Sequence, residues 1–215
     1  MNKSIKIAPL IAPPDFILNE IKIKLEETFN FPVIIEKTIK IPDNYKNFSR
    51  NQYNVSKLIS YLKEELINDC LKIIGIISED IYEEGYNFLF GSAEFNGKYA
   101  IVSLFRLFDE DKSLFLNRSV KESIHELGHT FGLNHCNNKS CVMNFSLSIN
   151  DVDKKDRYFC KLCETKLRIS LNNLWFLVEK VKLYDKILKL TLIIRRIFGI
   201  WQKELKQELK MQNRI

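Results

Sequence analysis

Apolar and polar positions alternate at the start of the chain. The stretch SIKIA, residues 4–8, reads as a strand with one buried face. After Pro13, Pro14 and Asp15 the period changes. In FILNEIKIKLEETF, residues 16–29, apolar side chains recur at three- and four-residue steps, which predicts an amphipathic helix. The β-branched run VIIEKTIKI, 33–41, predicts a second strand, NVSKLISYLKEEL, 54–66, a second helix, and LKIIGII, 71–77, a buried third strand. This β-α-β-α-β order favours an α/β sheet, mostly parallel, with helices packed on it. Two further strands, NFLFGSAEF at 87–95 and KYAIVSLF at 98–105, meet at Asn96-Gly97, which predicts a type I′ hairpin and a fifth, antiparallel member. Ser119-Val120-Lys121-Glu122 fits a capping box and so predicts a helix start there.

The last segment has a different character. From Leu174 to Leu209 apolar residues mostly recur at helical spacing, interrupted by Lys180, Lys182, Lys186, Lys189, Arg195 and Arg196, so no run reaches the ~20 apolar residues of a membrane span. A continuous helix of about 40 residues would be about 60 Å long, and a break is expected at Gly199. The charge lies here as well. Of 33 Lys and Arg and 27 Asp and Glu, residues 170–215 hold 10 and 4, leaving 23 of each sign before them. A neutral body is unsuited to phosphate binding, and no nucleic-acid partner is expected. The division predicted is a domain over 1–170 and a basic amphipathic helical extension over 171–215, which would fold on the domain, pair with a second chain, or lie on a partner or an anionic membrane surface. Lys6 and the prolines of MNKSIKIAPLIAPP break the apolar run of a secretory leader, so a cytoplasmic protein is expected.

All three histidines fall within His125–His135, in HELGHTFGLNH. On a helix, His125 and His129 share one face and can converge on a single ion. Glu126, next to the first, can reach a water at that ion without ligating it, the position of a general base in zinc-dependent peptide hydrolysis. Gly132 can turn the chain back in a left-handed conformation so that His135 completes the set. Three imidazoles leave a tetrahedral zinc one open position, the composition of a catalytic site.

Cys136 and Cys141 enclose four residues, and Cys160 and Cys163 enclose two. Paired spacing of this kind suits a closed four-thiolate structural zinc, so two zinc ions per chain are expected. Cys70, in INDCLKIIG, reads as packing.

With HELGHTFGLNHC, then Cys141-Val142-Met143, then Cys160-Lys161-Leu162-Cys163, the sequence resembles the archaemetzincins, a branch of the metzincin clan of zinc metallopeptidases. The likeness extends upstream through residues 75–107 and more weakly to RNQY at 50–53, covering roughly 1–168. It implies a metzincin-like zincin domain with an active-site helix and a four-cysteine zinc subdomain. It also implies that His125, His129 and His135 hold the catalytic zinc, that Glu126 is the base, that Cys136, Cys141, Cys160 and Cys163 hold the second ion, and that Met143 forms the Met-turn. In the astacin and serralysin branches a tyrosine stands two residues after that methionine; here the position is Phe145, without a hydroxyl. The clan pairs extended substrate with an antiparallel edge strand, for which 87–95 is the candidate. The expected activity is hydrolysis of peptides or polypeptides. A rival reading keeps both zincs for structure, in a module that binds peptide without cleaving it, and an intact Glu126 favours the enzyme.

Overall fold

The computed structural model describes residues 4–66 and 70–173, and beyond these 180, 183, 184, 186, 187, 189–191 and 194. Its elements run β1 (Ile5–Leu10), α1 (Asp15–Phe29), β2 (Val33–Ile35), β3 (Lys46–Asn47), β4 (Gln52–Asn54), α2 (Val55–Glu65), β5 (Lys72–Ile77), β6 (Ile81–Tyr82), β7 (Gly91–Ala93), β8 (Tyr99–Ser103), α3 (Lys112–Thr130) and α4 (Ile149–Lys154). The chain divides into two units, Met1–Ser170 and Leu171–Ile215. In the second, every described residue is helical, and the expected break at Gly199 lies outside the described residues.

In the first unit the main sheet has the order β2-β1-β5-β8-β7, parallel except for β7, so the mixed, mostly parallel five-stranded α/β architecture is borne out. Side-chain alternation assigns its two faces. Ala8, Leu10, Ile73, Ile77 and Ile101 pack with Leu58 and Leu62 of α2. Ile7, Ile74, Ile76, Ala100 and Val102, all buried, face the opposite way, where α1 and α3 lie. Gly91 is paired with Val102 and therefore faces α3. A small second sheet, β3-β4-β6, flanks the first.

Three local expectations are corrected. The second strand stops at Ile35, in register with Ile7, although β1 runs on to Leu10; beyond it the contact continues only through Glu36 N to Ile7 O and Ile39 N to Pro9 O, both 2.9 Å, and an isolated bridge, Leu10 to Ile39, and Pro9 has no N–H with which to extend the ladder. The helix carrying the histidines begins at Lys112. Asp111 caps it, accepting from Ser113 N at 2.8 Å and Leu114 N at 3.3 Å, whereas the Ser119 hydroxyl is spent inside the helix on the Phe115 carbonyl. A capping box does occur, at Ser148 and Asp151 of α4. The β7–β8 turn has only Asn96 left-handed (φ 52°), with Gly97 N donating to Glu94 O at 2.9 Å, so it is not type I′. Its geometry is set from outside the hairpin: Asn96 N donates to the carbonyl of His129 at 2.9 Å.

Lys72, at the start of β5, reinforces that junction. Its Nζ donates to Gly97 O at 2.5 Å and Thr130 O at 2.6 Å and lies 4.7 Å from the Phe131 ring centroid. Burial lowers its pKa to about 8. The hairpin and the C-terminal end of α3 are thus tied to one side chain.

Candidate metal centres

The α3 helix is buried along most of its last four turns, and its period brings His125 and His129 to one side. Their Nε2 atoms are 3.1 Å apart. Gly132 takes the expected left-handed conformation (φ 84°), with Gly132 N donating to His129 O at 2.9 Å and Leu133 N to Gly128 O at 3.1 Å. The chain turns back, and the His135 ring stands 5.3 Å and 4.7 Å, centroid to centroid, from those of His125 and His129. One donor nitrogen from each ring falls within 4.8 Å of the others.

The outer nitrogens decide the protonation state. His125 Nδ1 lies 2.7 Å from the Val142 carbonyl and His129 Nδ1 2.7 Å from the Leu133 carbonyl. A carbonyl can only accept, so both Nδ1 atoms carry hydrogen and the two Nε2 lone pairs face each other. Desolvation holds both rings neutral: it pushes the His125 pKa well below the usual imidazole value and that of His129 down to about 4. Two lone pairs at 3.1 Å repel unless a cation sits between them, and the donor set therefore fits zinc.

Glu126 is buried beside this trio. Burial, and then the neighbouring Glu122 carboxylate, push its carboxyl well above the ordinary range, with Lys155 pulling the other way. Two glycines make room. A Cβ on Gly91 would lie 2.6 Å from Glu126 Cγ, and one on Gly128 would lie 2.5 Å from Met143 Sδ. Met143 is fully buried under the helix. Behind His125, the Lys155 ammonium, itself 1% exposed, sits 2.8 Å from Glu122 Oε1, an ion pair outside hydrogen-bond angles, and 3.3 Å from the Asn144 carbonyl.

The cysteines form the second group. Cys136, Cys141, Cys160 and Cys163 bring their sulfurs within 4.8 Å of one another, and none of the five cysteines is in a disulfide. Burial raises the thiol pKa of Cys141 and Cys163, while the backbone N–H of Cys163 pulls that of Cys160 down to about 7. Four converging sulfurs are compatible as thiolates only around a cation, so this set fits zinc as well. Cys70 is buried elsewhere in the core beneath α2. The two groups share backbone: Cys136 N donates to Met143 O at 2.8 Å, and Asn144 Nδ2 to Cys136 O at 2.7 Å.

A cleft of about 500 Å³ opens over the histidines, with walls that include Phe88, Phe90, Phe95, Phe145 and Leu147 and with Glu122 and Glu126 toward its base. β7 lies along it at the sheet edge, where the resemblance to the clan implies an edge strand within 87–95; the strand is only three residues long, and 87–90 form an irregular rim.

The sequence signature of peptidase family M54 matches residues 15–169. The chain belongs to that family. The archaemetzincin of Methanopyrus kandleri is 40% identical over 154 residues, 72% of this chain and 81% of the relative. That of Methanocaldococcus jannaschii is 43% identical over 168 residues, 75% and 91%. Among solved structures, the M. kandleri archaemetzincin superposes with a TM-score of 0.73 at 35% identity, over 80% of this chain and 96% of the other. The Archaeoglobus fulgidus archaemetzincin, solved with malonate, gives 0.69 at 37%, over 76% and 99%. The resemblance to the archaemetzincins and the assignment to the zinc metallopeptidases are both borne out.

The three histidines converge as their spacing predicts, with Glu126 buried beside them, and so do the four cysteines; Met143, which the resemblance places in the Met-turn, is buried against Gly128. Gly91, Gly128 and Lys155 carry no role in the sequence reading, and Glu122 enters it only as part of a capping box. Gly91 had a signal, a glycine inside a strand pattern, which often marks close approach. Lys155, in DVDKKD, had none.

Among the described residues, no helix is long and apolar enough to cross a membrane.

Proposed function

We propose that His125, His129 and His135 hold a catalytic zinc, that Cys136, Cys141, Cys160 and Cys163 hold a second, structural zinc, and that the chain hydrolyses peptide bonds. The opposed, proton-free Nε2 atoms of His125 and His129 carry this reading. When bound, the open-sided zinc supplies Lewis acidity toward a water and a scissile carbonyl. Glu126, buried beside the three histidines, takes the proton of the attacking water and delivers it to the leaving amine. The carbonyls of Val142 and Leu133 fix the imidazole orientations throughout. β7 offers its free edge to an extended substrate, and the aromatic walls of the cleft take side chains. Phe145 supplies no hydroxyl; its ring stands 4.7 Å from that of His135 and packs there. The catalytic domain on this reading is 1–170, and 171–215 is an appendage to it.

The test is degradation of a broad peptide library by the full chain loaded with zinc, with Glu126→Ala as control and elemental analysis alongside. Cleavage that Glu126→Ala abolishes, at about two zincs per chain, is the expected result. Equal silence of both proteins removes the peptidase reading, and one zinc per chain that persists in Cys160→Ser removes the second site.

A further inference from the structure

Residues 50–53, RNQY, share in the family likeness yet supply no ligand and no base. Two of them sit in a network behind the cleft. Asp80, 5% exposed, accepts a bidentate pair from Arg106, Nε at 2.9 Å and Nη2 at 2.7 Å, and a third bond from Gln52 Nε2 at 2.9 Å. Gln52 Nε2 also donates to the Asn87 carbonyl at 2.9 Å, and its Oε1 accepts from Arg50 Nε at 2.8 Å. Arg50 Nη2 in turn donates to the carbonyls of Tyr86 at 3.1 Å and Asn87 at 3.0 Å. The Arg50 guanidinium lies 4.2 Å from the Tyr82 ring centroid, and that of Arg106 lies 4.1 Å from the Phe88 ring centroid.

Arg50, Gln52 and Arg106 each reach the 86–88 segment, and Tyr86, Asn87 and Phe88 line the cleft, whereas Arg50, Gln52, Asp80 and Arg106 do not. The segment needs such support. Gly85 is left-handed (φ 86°), Tyr86 and Asn87 are exposed, and the backbone bonds nearest to it are Tyr86 N to Glu83 O and Leu89 N to Ile81 O, both 3.0 Å. Unlike the neighbouring β7, it has no ladder to define it.

We propose that Arg50, Gln52, Asp80 and Arg106 are positioning residues for substrate: they hold the 86–88 rim in its binding conformation, so that peptide does not bear the cost of ordering it. The inference rests on the peptidase reading of the cleft but concerns binding. Loss of the network then weakens peptide affinity and leaves the hydrolytic step alone. Arg50 is the cleanest probe, because it is exposed and its removal leaves the Arg106–Asp80–Gln52 set intact.

The experiment compares the full zinc-loaded chain with Arg50→Ala, Arg50→Lys and Arg106→Lys. A peptide chosen from the library supplies kcat and KM. The same peptide is titrated against the Glu126→Gln forms, and hydrogen exchange is followed across 83–90. The expected result for Arg50→Ala is a KM and a dissociation constant raised about tenfold, kcat within about twofold, and faster exchange confined to 83–90. Arg50→Lys falls between, since one ammonium cannot span Gln52 and both carbonyls. Unchanged KM and affinity, or a loss confined to kcat, overturns the proposal, as does unchanged exchange. If the wild type binds peptide without cleaving it and Arg50→Ala weakens that binding, the rim assignment stands while the peptidase reading falls. If it neither binds nor cleaves, both fall.

Discussion

Adding one methyl group at Gly91 should cost this protein most of its activity. A Cβ there would be 2.6 Å from Glu126 Cγ, 2.8 Å from Glu126 Oε1 and 2.8 Å from the Ile101 carbonyl oxygen. Ordinary contact needs about 3.5 Å or more, so the shortfall is about 1 Å. The Ile101 oxygen belongs to β8, held on both sides in the sheet, and gives little; the Glu126 side chain, or β7 with it, must give instead. Displacing a catalytic group by about 1 Å lowers kcat by about 10²-fold. Overpacking costs roughly 1–3 kcal/mol, offset by less than about 1 kcal/mol from the reduced freedom of the unfolded chain. The signature is therefore a large fall in kcat with a small fall in Tm and unchanged zinc content. Peptide turnover, thermal unfolding and elemental analysis measure the three. Gly91→Ala with turnover within twofold of wild type would refute the steric argument and with it the placement of Glu126 against β7.

Lys155→Met should destabilise the fold by about 3–5 kcal/mol in a urea titration, because it strands the buried Glu122 carboxylate, and Lys155→Met with Glu122→Leu should recover most of that; a single variant within about 1 kcal/mol of wild type would contradict the pairing. Gly128→Ala, which in an ordinary helix interior gains about 1 kcal/mol, should instead lower Tm, since its Cβ would meet Met143 Sδ at 2.5 Å and Met143 is fully buried; a raised Tm would show that the sulfur moves aside freely. Arg118 hydrogen-bonds Asp153 through Nε and Nη2, both at 2.7 Å, and holds its carboxyl below the usual value. That stabilisation is present above the unfolded pKa of about 4 and is lost as pH falls through the lower folded value, so stability measured from pH 5 downward should decline less in Arg118→Met than in wild type.

The layers of the fold were legible because their periods are clean. Residues 71–77 have no polar position except Lys72, and 16–29 keep helical spacing throughout, so β5 and α1 fall within a residue of expectation. Where one segment's conformation is set by another, the local pattern misled. The β-branched run after Pro32 had propensity for nine residues but a partner for three, and Asn96-Gly97 had the residues of a type I′ turn but was drawn onto the end of α3 through His129. The candidate site was legible for the converse reason: its histidines and cysteines recur at helix and turn spacings that a single sequence displays. Lys155 and Glu122 meet across 33 positions, and nothing in either neighbourhood announces the other. RNQY was visible as a string, but its partners Asp80, Arg106 and the carbonyls of 86 and 87 come from three other segments.

The sharing of backbone between the two metal groups bears on synthesis. A growing chain that has reached His135 already contains the three histidines and Glu126. It lacks the Val142 carbonyl that sets the His125 proton, the Met143 carbonyl that anchors Cys136, and the Lys155 ammonium that balances Glu122. At about 5–20 residues per second, these arrive within seconds, yet the order is fixed: the surroundings of the histidine cluster are complete only once the chain has been made through Lys155. The three histidines and Glu126 are thus made first, and the residues that orient and balance them last.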